Sequence, residues 1–215
     1  VLYKGSNNPL SSSPTLSPSS AGAPTMAPFI SDPEISTTTA PFSTHPTGVP
    51  FPVFVPGPSF TIIDRINVGG MSAFDKDSHF WRSDTELNPG GATVTPSKYT
   101  TVNFDFSEAP DLSQLDSILN SERYGAMTYE LPIFGNGVYI IQLLVAEAWH
   151  HDPGERVFHI NVQGARAVTG VDLVSNIGFQ VPLFINILCT IDDNSTSISL
   201  ALVPASNLVE PPALY

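Results

Sequence analysis

The stretch 138-VYIIQLLVAEAWHHDPGERVFHINVQG-164 decides the fold. Its first half is apolar at nearly every position, as expected of a central strand covered on both faces. Its second half alternates, with Phe158, Ile160 and Val162 on one side and His159, Asn161 and Gln163 on the other. That is the period-two pattern of a half-buried strand. Between them lie Trp149, two histidines, an acid and a D-P-G turn. The same alternation recurs on both sides of this stretch. "MTYELPI" (127–133) precedes "FGNG", which reads as a hairpin turn. In "FQVPLFINILCTI" (179–191), Phe179, Val181, Leu183, Ile185, Ile187, Cys189 and Ile191 share one face. "DDNS" then turns the chain into "TSISLALV", where Ile198, Leu200 and Leu202 point one way. Only 111–120 reads as a short helical turn. Many short strands and almost no helix predict an all-β sandwich.

Composition divides the chain in two. Residues 1–59 hold 12 of the 21 prolines and 18 Ser or Thr. They offer too little apolar surface to offset chain entropy, and dense proline favours extended chain. They read as a linker or stalk whose Ser/Thr/Pro composition matches that of O-glycosylated segments. Within it only "VPFPVFV" (49–55) is apolar enough to lie against a folded surface. Residues 60–215 carry 18 acids against 7 Lys or Arg and form the folded unit. The whole-chain net charge of −12 disfavours non-specific binding to nucleic acid or to anionic membrane surfaces. No apolar run is long enough for a membrane-spanning helix, and no signal-peptide pattern is visible. The single cysteine, Cys189, supports neither a disulfide framework nor a cysteine-based zinc site, and reads as a small buried apolar side chain.

An ordered set of motifs then resembles the malectin domain family: "INVGG" (66–70), "FWRSDT" (80–85), "NPGG" (88–91), "SERYG" (121–125), "MTYELPI", "VAEAWHHDPGERVFHINVQG" (145–164), "VDLVSNIG" (171–178) and "VEPPALY" (209–215). The likeness spans about 66–215. It implies a jelly-roll-like β-sandwich that binds carbohydrate through loops at one end, without catalysis. It carries over Trp149 and His150 as the pair following the "AE" of the central strand, Tyr124 as a second binding aromatic, and Glu210 where the family has an Asp. An aromatic ring suits the apolar C–H face of a sugar, and a carboxylate accepts two charge-assisted bonds from hydroxyls. The sequence departs from the family at Val94, which replaces an aromatic (Tyr99 is near but out of register), and at His159, where Asp is common.

Other chemistries fit these residues less well. His150, His151 and Asp152 are consecutive, so on a strand they point to opposite faces and do not converge on one ion. No pair of carboxylates is set apart as a glycosidase would need, and no nucleophile elbow is present. "INVGG" has no phosphate-loop lysine after it and reads as a turn. No enzyme, cofactor or metal is therefore expected. Glu147 reads as the partner of Arg123 or Arg156, and Trp81 as core. Asn194-Ser195-Thr196 is a glycosylation sequon on what reads as a hairpin turn.

The ends suggest a repeat. Val1-Leu2-Tyr3 resembles Ala213-Leu214-Tyr215, which would make residues 1–5 the end of a preceding repeat's last strand, leave the strand after "PPALY" cut short, and give a period near 212. The missing strand would come from the next segment or from another copy. The leading functional expectation is thus a structural repeat unit of an extracellular or cell-surface filament or matrix protein, with other copies as partners. The alternative is a carbohydrate-binding module of a secreted or surface protein.

Overall fold

A computed structural model describes residues 1–5, 59–94, 102–107, 110–206 and 210–215. The apolar stretch 49–55 and Tyr99 lie outside the described residues. Fourteen strands are present among them: β1 Leu2–Gly5, β2 Phe60–Asp64, β3 Ile66–Asn67, β4 Ala73–Phe74, β5 Phe80–Ser83, β6 Ala92–Val94, β7 Glu122–Tyr124, β8 Met127–Pro132, β9 Gly137–Val145, β10 Phe158–Val162, β11 Ala165–Val171, β12 Leu183–Ile191, β13 Ser197–Pro204 and β14 Ala213–Leu214. One four-stranded antiparallel sheet has the order β12-β9-β1-β2, a second has β11-β10-β13-β8, and two smaller sheets, β14-β7-β6 and β3-β5-β4, flank them. Among the described residues, helix is confined to a short α1, Leu173–Asn176, and to 3-10 segments at Thr85–Leu87 and Pro110–Leu115. The expected all-β sandwich is what the chain forms.

The main core lies between the two large sheets. Tyr139, Ile141, Leu143 and Val145 of β9 meet Tyr129, Leu131, Phe158, Ile160, Ile198 and Leu200 of the opposing sheet. The other face of β9 is also covered. Leu144, Ala146 and Ala148 join a second cluster with Leu112, Leu115, Ile118 and Trp81. The 110–120 segment is therefore the lid that makes β9 apolar on both sides. Cys189 is buried in the main core, and burial raises its thiol pKa.

The connections differ from the sequence reading. "FGNG" is not a hairpin turn, because β8 and β9 belong to different sheets. The same is true of "DDNS" between β12 and β13. Both inner faces must be apolar in a sandwich, so alternation within each strand is equally satisfied whether the next strand pairs with it or crosses to the opposite layer. The two crossings are tied together: Asn136 Nδ2 donates to Asp192 O at 3.1 Å, and Asn194 N donates to Asn136 Oδ1 at 2.9 Å. The hairpin the sequence reading missed joins β10 to β11 through Gln163 and Gly164, both left-handed at φ 50° and 76°.

Residues 1–5 are part of the folded unit. They form β1, paired with β9 on one side and β2 on the other, with Leu2 only 1% exposed. Val1-Leu2-Tyr3 and Ala213-Leu214-Tyr215 do not occupy equivalent places: β1 lies in the β9 sheet, whereas β14 pairs with β7. Similar local patterning was enough to suggest equivalence, but the two stretches follow one another along a single line beside β9.

A buried ionic network fastens the small sheets to the core. Asp84 accepts from Arg123 Nε and Nη2, both at 2.8 Å, and from Tyr129 Oη at 2.9 Å. The Gly69 backbone also donates to it. Although burial raises its pKa, these donors together hold the Asp84 carboxyl below the usual carboxylate value; the carboxylate in turn raises the Arg123 pKa, and burial first and this carboxylate second raise that of Tyr129. The Gly69-Gly70 pair of "INVGG" permits this approach: a Cβ on Gly69 would collide with the Glu122 carbonyl. Asp84→Ala is expected to cost about 3–5 kcal/mol, as when one partner of a buried ion pair is removed. Because the native pKa is depressed, that contribution is present at pH 7, begins to fall as the pH drops below about 4, the ordinary Asp pKa, and is lost through the lower native value. Urea midpoints of both proteins from pH 7 to pH 2 should therefore converge in acid.

Candidate carbohydrate site

The site is built where β9 ends and its chain turns toward β10. The last buried residue of this run with a charge is Glu147, 1% exposed, and it organises the turn. Its carboxylate takes Arg156 Nη1 on both oxygens, at 3.0 and 2.8 Å. Oε1 also accepts the backbone N–H of Trp149 at 2.9 Å and of His150 at 3.1 Å. The arginine partner is thus Arg156, whereas Arg123 is committed to Asp84. Glu147 does more than neutralise a cation. It fixes the backbone of the two residues expected to face a ligand.

The Trp149 ring has its own anchor. Its Nε1–H donates to Glu122 Oε1 at 2.6 Å, and Glu122 is 5% exposed on β7. Two residues along the same strand, hence on the same face, stands Tyr124, 39% exposed. Residue 94 of β6 lies opposite Glu122 in the ladder, and Ala92 and Ala213 flank Tyr124. The Tyr215 phenol lies near both Glu122 and Glu147, and its pKa is raised by burial first and by these charges second.

His150 and Glu210 are linked through Glu155. His150 Nδ1 lies 3.6 Å from Glu155 Oε2, and the Glu210 backbone N–H donates to Glu155 O at 2.8 Å. Glu155 Oε2 also accepts the Asp152 N–H at 3.2 Å, closing the turn. His151 points elsewhere, its ring 3.9 Å from that of Phe179. His150, His151 and Asp152 therefore have separate partners, and among the described residues no group of three or more His, Cys, Asp or Glu is placed to hold a metal ion. His159 accepts the Gly170 N–H at 2.9 Å and belongs to the β10–β11 hairpin.

The structure thus ties Trp149 to the strand bearing Tyr124, and His150 to the segment bearing Glu210. Sequence reasoning passed over Glu122 and Glu155, the two carboxylates that make these links. The signal for Glu122 was its spacing of two from Tyr124 within a strand. Trp81 is core, 4% exposed, and donates its indole N–H to Asp75 at 2.9 Å. Asn194 is exposed on the crossing at the far end of β9 from Trp149.

The fold is a β-sandwich with Trp149 and His150 on the turn that follows β9 and Tyr124 on β7. The malectin domain family model matches residues 62–209, and the chain belongs to the malectin domain family. Solved structures share the fold. The ANX2 ectodomain from Arabidopsis thaliana superposes with a TM-score of 0.61 at 18% identity, over 71% of this chain and 47% of that one. The ANXUR1 extracellular domain from Arabidopsis thaliana gives 0.60 at 19% identity, over 71% and 46%. The plant receptor-like kinase FER, in a complex with the peptide RALF23 and LLG2, gives 0.61 at 18%, over 71% and 46%. This chain therefore spans less than half the length of each. No curated protein matches. No helix among the described residues is long and apolar enough to cross a membrane.

Glu147→Ala is expected to strand the Arg156 guanidinium, 8% exposed, and free the Trp149-His150 backbone, at a cost of about 3–5 kcal/mol. A urea titration gives the stability change. Red-shifted tryptophan emission in the folded variant would report a change in the surroundings of Trp149 once its backbone is freed.

Proposed function

We propose that this chain is a carbohydrate-binding module of a secreted or surface protein, with Trp149 as its stacking platform, Tyr124 as the second aromatic, and His150 and Glu210 as hydrogen-bonding groups. The supporting observation is the double restraint on Trp149. Glu147 holds its backbone and Glu122 holds its ring, so little freedom is lost when a sugar face stacks on it. The rim carries Asp152, Glu155 and Glu210. Such a surface disfavours sulfated or uronic-acid sugars and favours neutral ones. The site acts by binding, and no carboxylate in it is assigned a catalytic role. Asn194 is proposed as a glycosylation site, and its distance from the rim leaves the binding face clear.

One observation favours a second reading. The insertion of residues 1–5 into the β9 sheet suits a unit that links to other copies in an extracellular array with glycosylated proline-rich spacers. In this reading the sugar rim and the strand slot serve separate ends of one module.

A neutral and sulfated glycan array, followed by calorimetry on the best ligand, tests the first reading. A neutral oligosaccharide should bind, Trp149→Ala should weaken it at least tenfold, and Asn194→Gln should leave it unchanged. Binding confined to sulfated glycans, or unaffected by Trp149→Ala, would overturn the assignment.

A further inference from the structure

The β6–β7 ladder has two faces, and the one turned away from Tyr124 opens on a separate polar cleft. Side chains alternate along a strand, so Glu122 and Tyr124 share one face of β7 while Arg123 points the opposite way, paired across the ladder with Thr93. The cleft there measures about 410 Å³. Small-molecule sites usually run to roughly 300–1,000 Å³. Met71, Ser83, Thr85, Asn88, Thr93 and Arg123 border it. Tyr124, Trp149, His150 and Glu210 are not among its described lining.

The walls of this cleft are fixed by bonds within the fold. The Met71 carbonyl accepts from Asn67 Nδ2 at 2.7 Å, the Gly70 carbonyl accepts from Ser83 Oγ at 2.7 Å, and Ser72 Oγ accepts the Ser83 N–H at 3.0 Å. Asn88 is left-handed at φ 42°, and its N–H donates to Thr85 O at 3.3 Å to close the 3-10 turn. Arg123 is locked by Asp84 and by the Gly90 carbonyl, which Nη1 reaches at 3.0 Å. A cleft held in this way loses little freedom on binding. Its chemistry selects the ligand. Asp84 neutralises Arg123, so the described lining carries no net charge. Asp84 and Gly90 take three of the five guanidinium N–H groups, which leaves a second N–H on each terminal nitrogen. The hydroxyls of Ser83, Thr85 and Thr93 and the carboxamide of Asn88 both donate and accept. Met71, 84% exposed, adds a flexible thioether chain suited to an apolar C–H face. Fixed donors and acceptors without net charge, beside one adaptable apolar side chain, match a neutral ring rich in hydroxyls.

We propose that this cleft is a second ligand site, separate from Trp149, and that it takes a neutral saccharide unit, with Asn88 and Thr93 as hydrogen-bonding groups and Met71 as the apolar contact. Strand β7 then serves two sites. Glu122 and Tyr124 belong to the Trp149 side, and Arg123 between them belongs to the cleft. Occupation of the cleft does not require a sugar on Trp149, because the side chains concerned leave opposite faces of one ladder.

The test uses the chain carrying Trp149→Ala, which removes the other platform. It is titrated with maltose, cellobiose and laminaribiose while nitrogen-proton NMR follows the backbone signals of Met71 and Thr85. At least one disaccharide should shift both signals saturably. Asn88→Gly combined with Thr93→Val keeps the left-handed turn and the strand but removes the carboxamide and the hydroxyl. Its urea midpoint should match the parent, and its affinity should fall by roughly tenfold or more. Met71→Ala changes an exposed side chain alone and should also weaken binding, read at Thr85, which covers a loss of fold in the double variant. Any of three outcomes overturns the site: no shift up to the solubility of each sugar, undiminished affinity in both variants, or a shift with inorganic phosphate and none with the sugars. A parallel titration of the parent chain reads the Trp149 indole, so failure at Trp149 and failure at the cleft register separately.

Discussion

The constraint on which the structure depends is that β9 is buried on every side from Tyr139 to Val145. Its inner face meets the opposing sheet, its outer face is roofed by the 110–120 segment and Tyr215, and its edges are held by β12 and β1. A strand so enclosed exposes no backbone edge to water or to chance pairing. It is also the most rigid point from which to project a loop. The turn that follows it carries Trp149 and His150, and Glu147, still within the enclosed stretch, sets the geometry of both.

Acidic side chains do most of the positioning at the rim, and each is used differently. Glu147 is buried, paired with Arg156, and binds two backbone N–H groups. Glu122 is buried and binds an indole. Glu155 is exposed and joins His150 and Asp152 to the strand end near Glu210. Removing buried carboxylates from this arrangement leaves donors unsatisfied, which costs more than the bonds themselves contribute. That is why the acids of a protein with a net charge of −12 are not all surface charge.

Legibility in the sequence followed the range of each interaction. The alternation of Phe158, Ile160 and Val162, and the unbroken apolar run of β9, are local patterns, and they correctly gave strands, faces and the sandwich. Cys189 was readable as core because its neighbours carry a strand-like apolar pattern. Sheet assignment was not readable: the turns at 134–137 and 192–195 look the same whether the chain folds back or crosses layers. The Asp84–Arg123–Tyr129 network joins residues up to 45 positions apart, and β1 meets β9 across more than 130. No local period carries such pairings. Tyr124, Trp149, His150 and Glu210 were found through family resemblance, whereas Glu122, which ties the first two, required the fold.

The central claim is that the restrained Trp149 ring faces a ligand while Trp81 remains core. The most direct measurement is the two indole N–H signals in a nitrogen-proton NMR spectrum, assigned with Trp81→Phe, during titration with a panel of neutral oligosaccharides. The account predicts that a binding sugar shifts the Trp149 signal and leaves Trp81 in place. A Trp149 signal that stays fixed at saturating sugar, or a shift confined to Trp81, would contradict it.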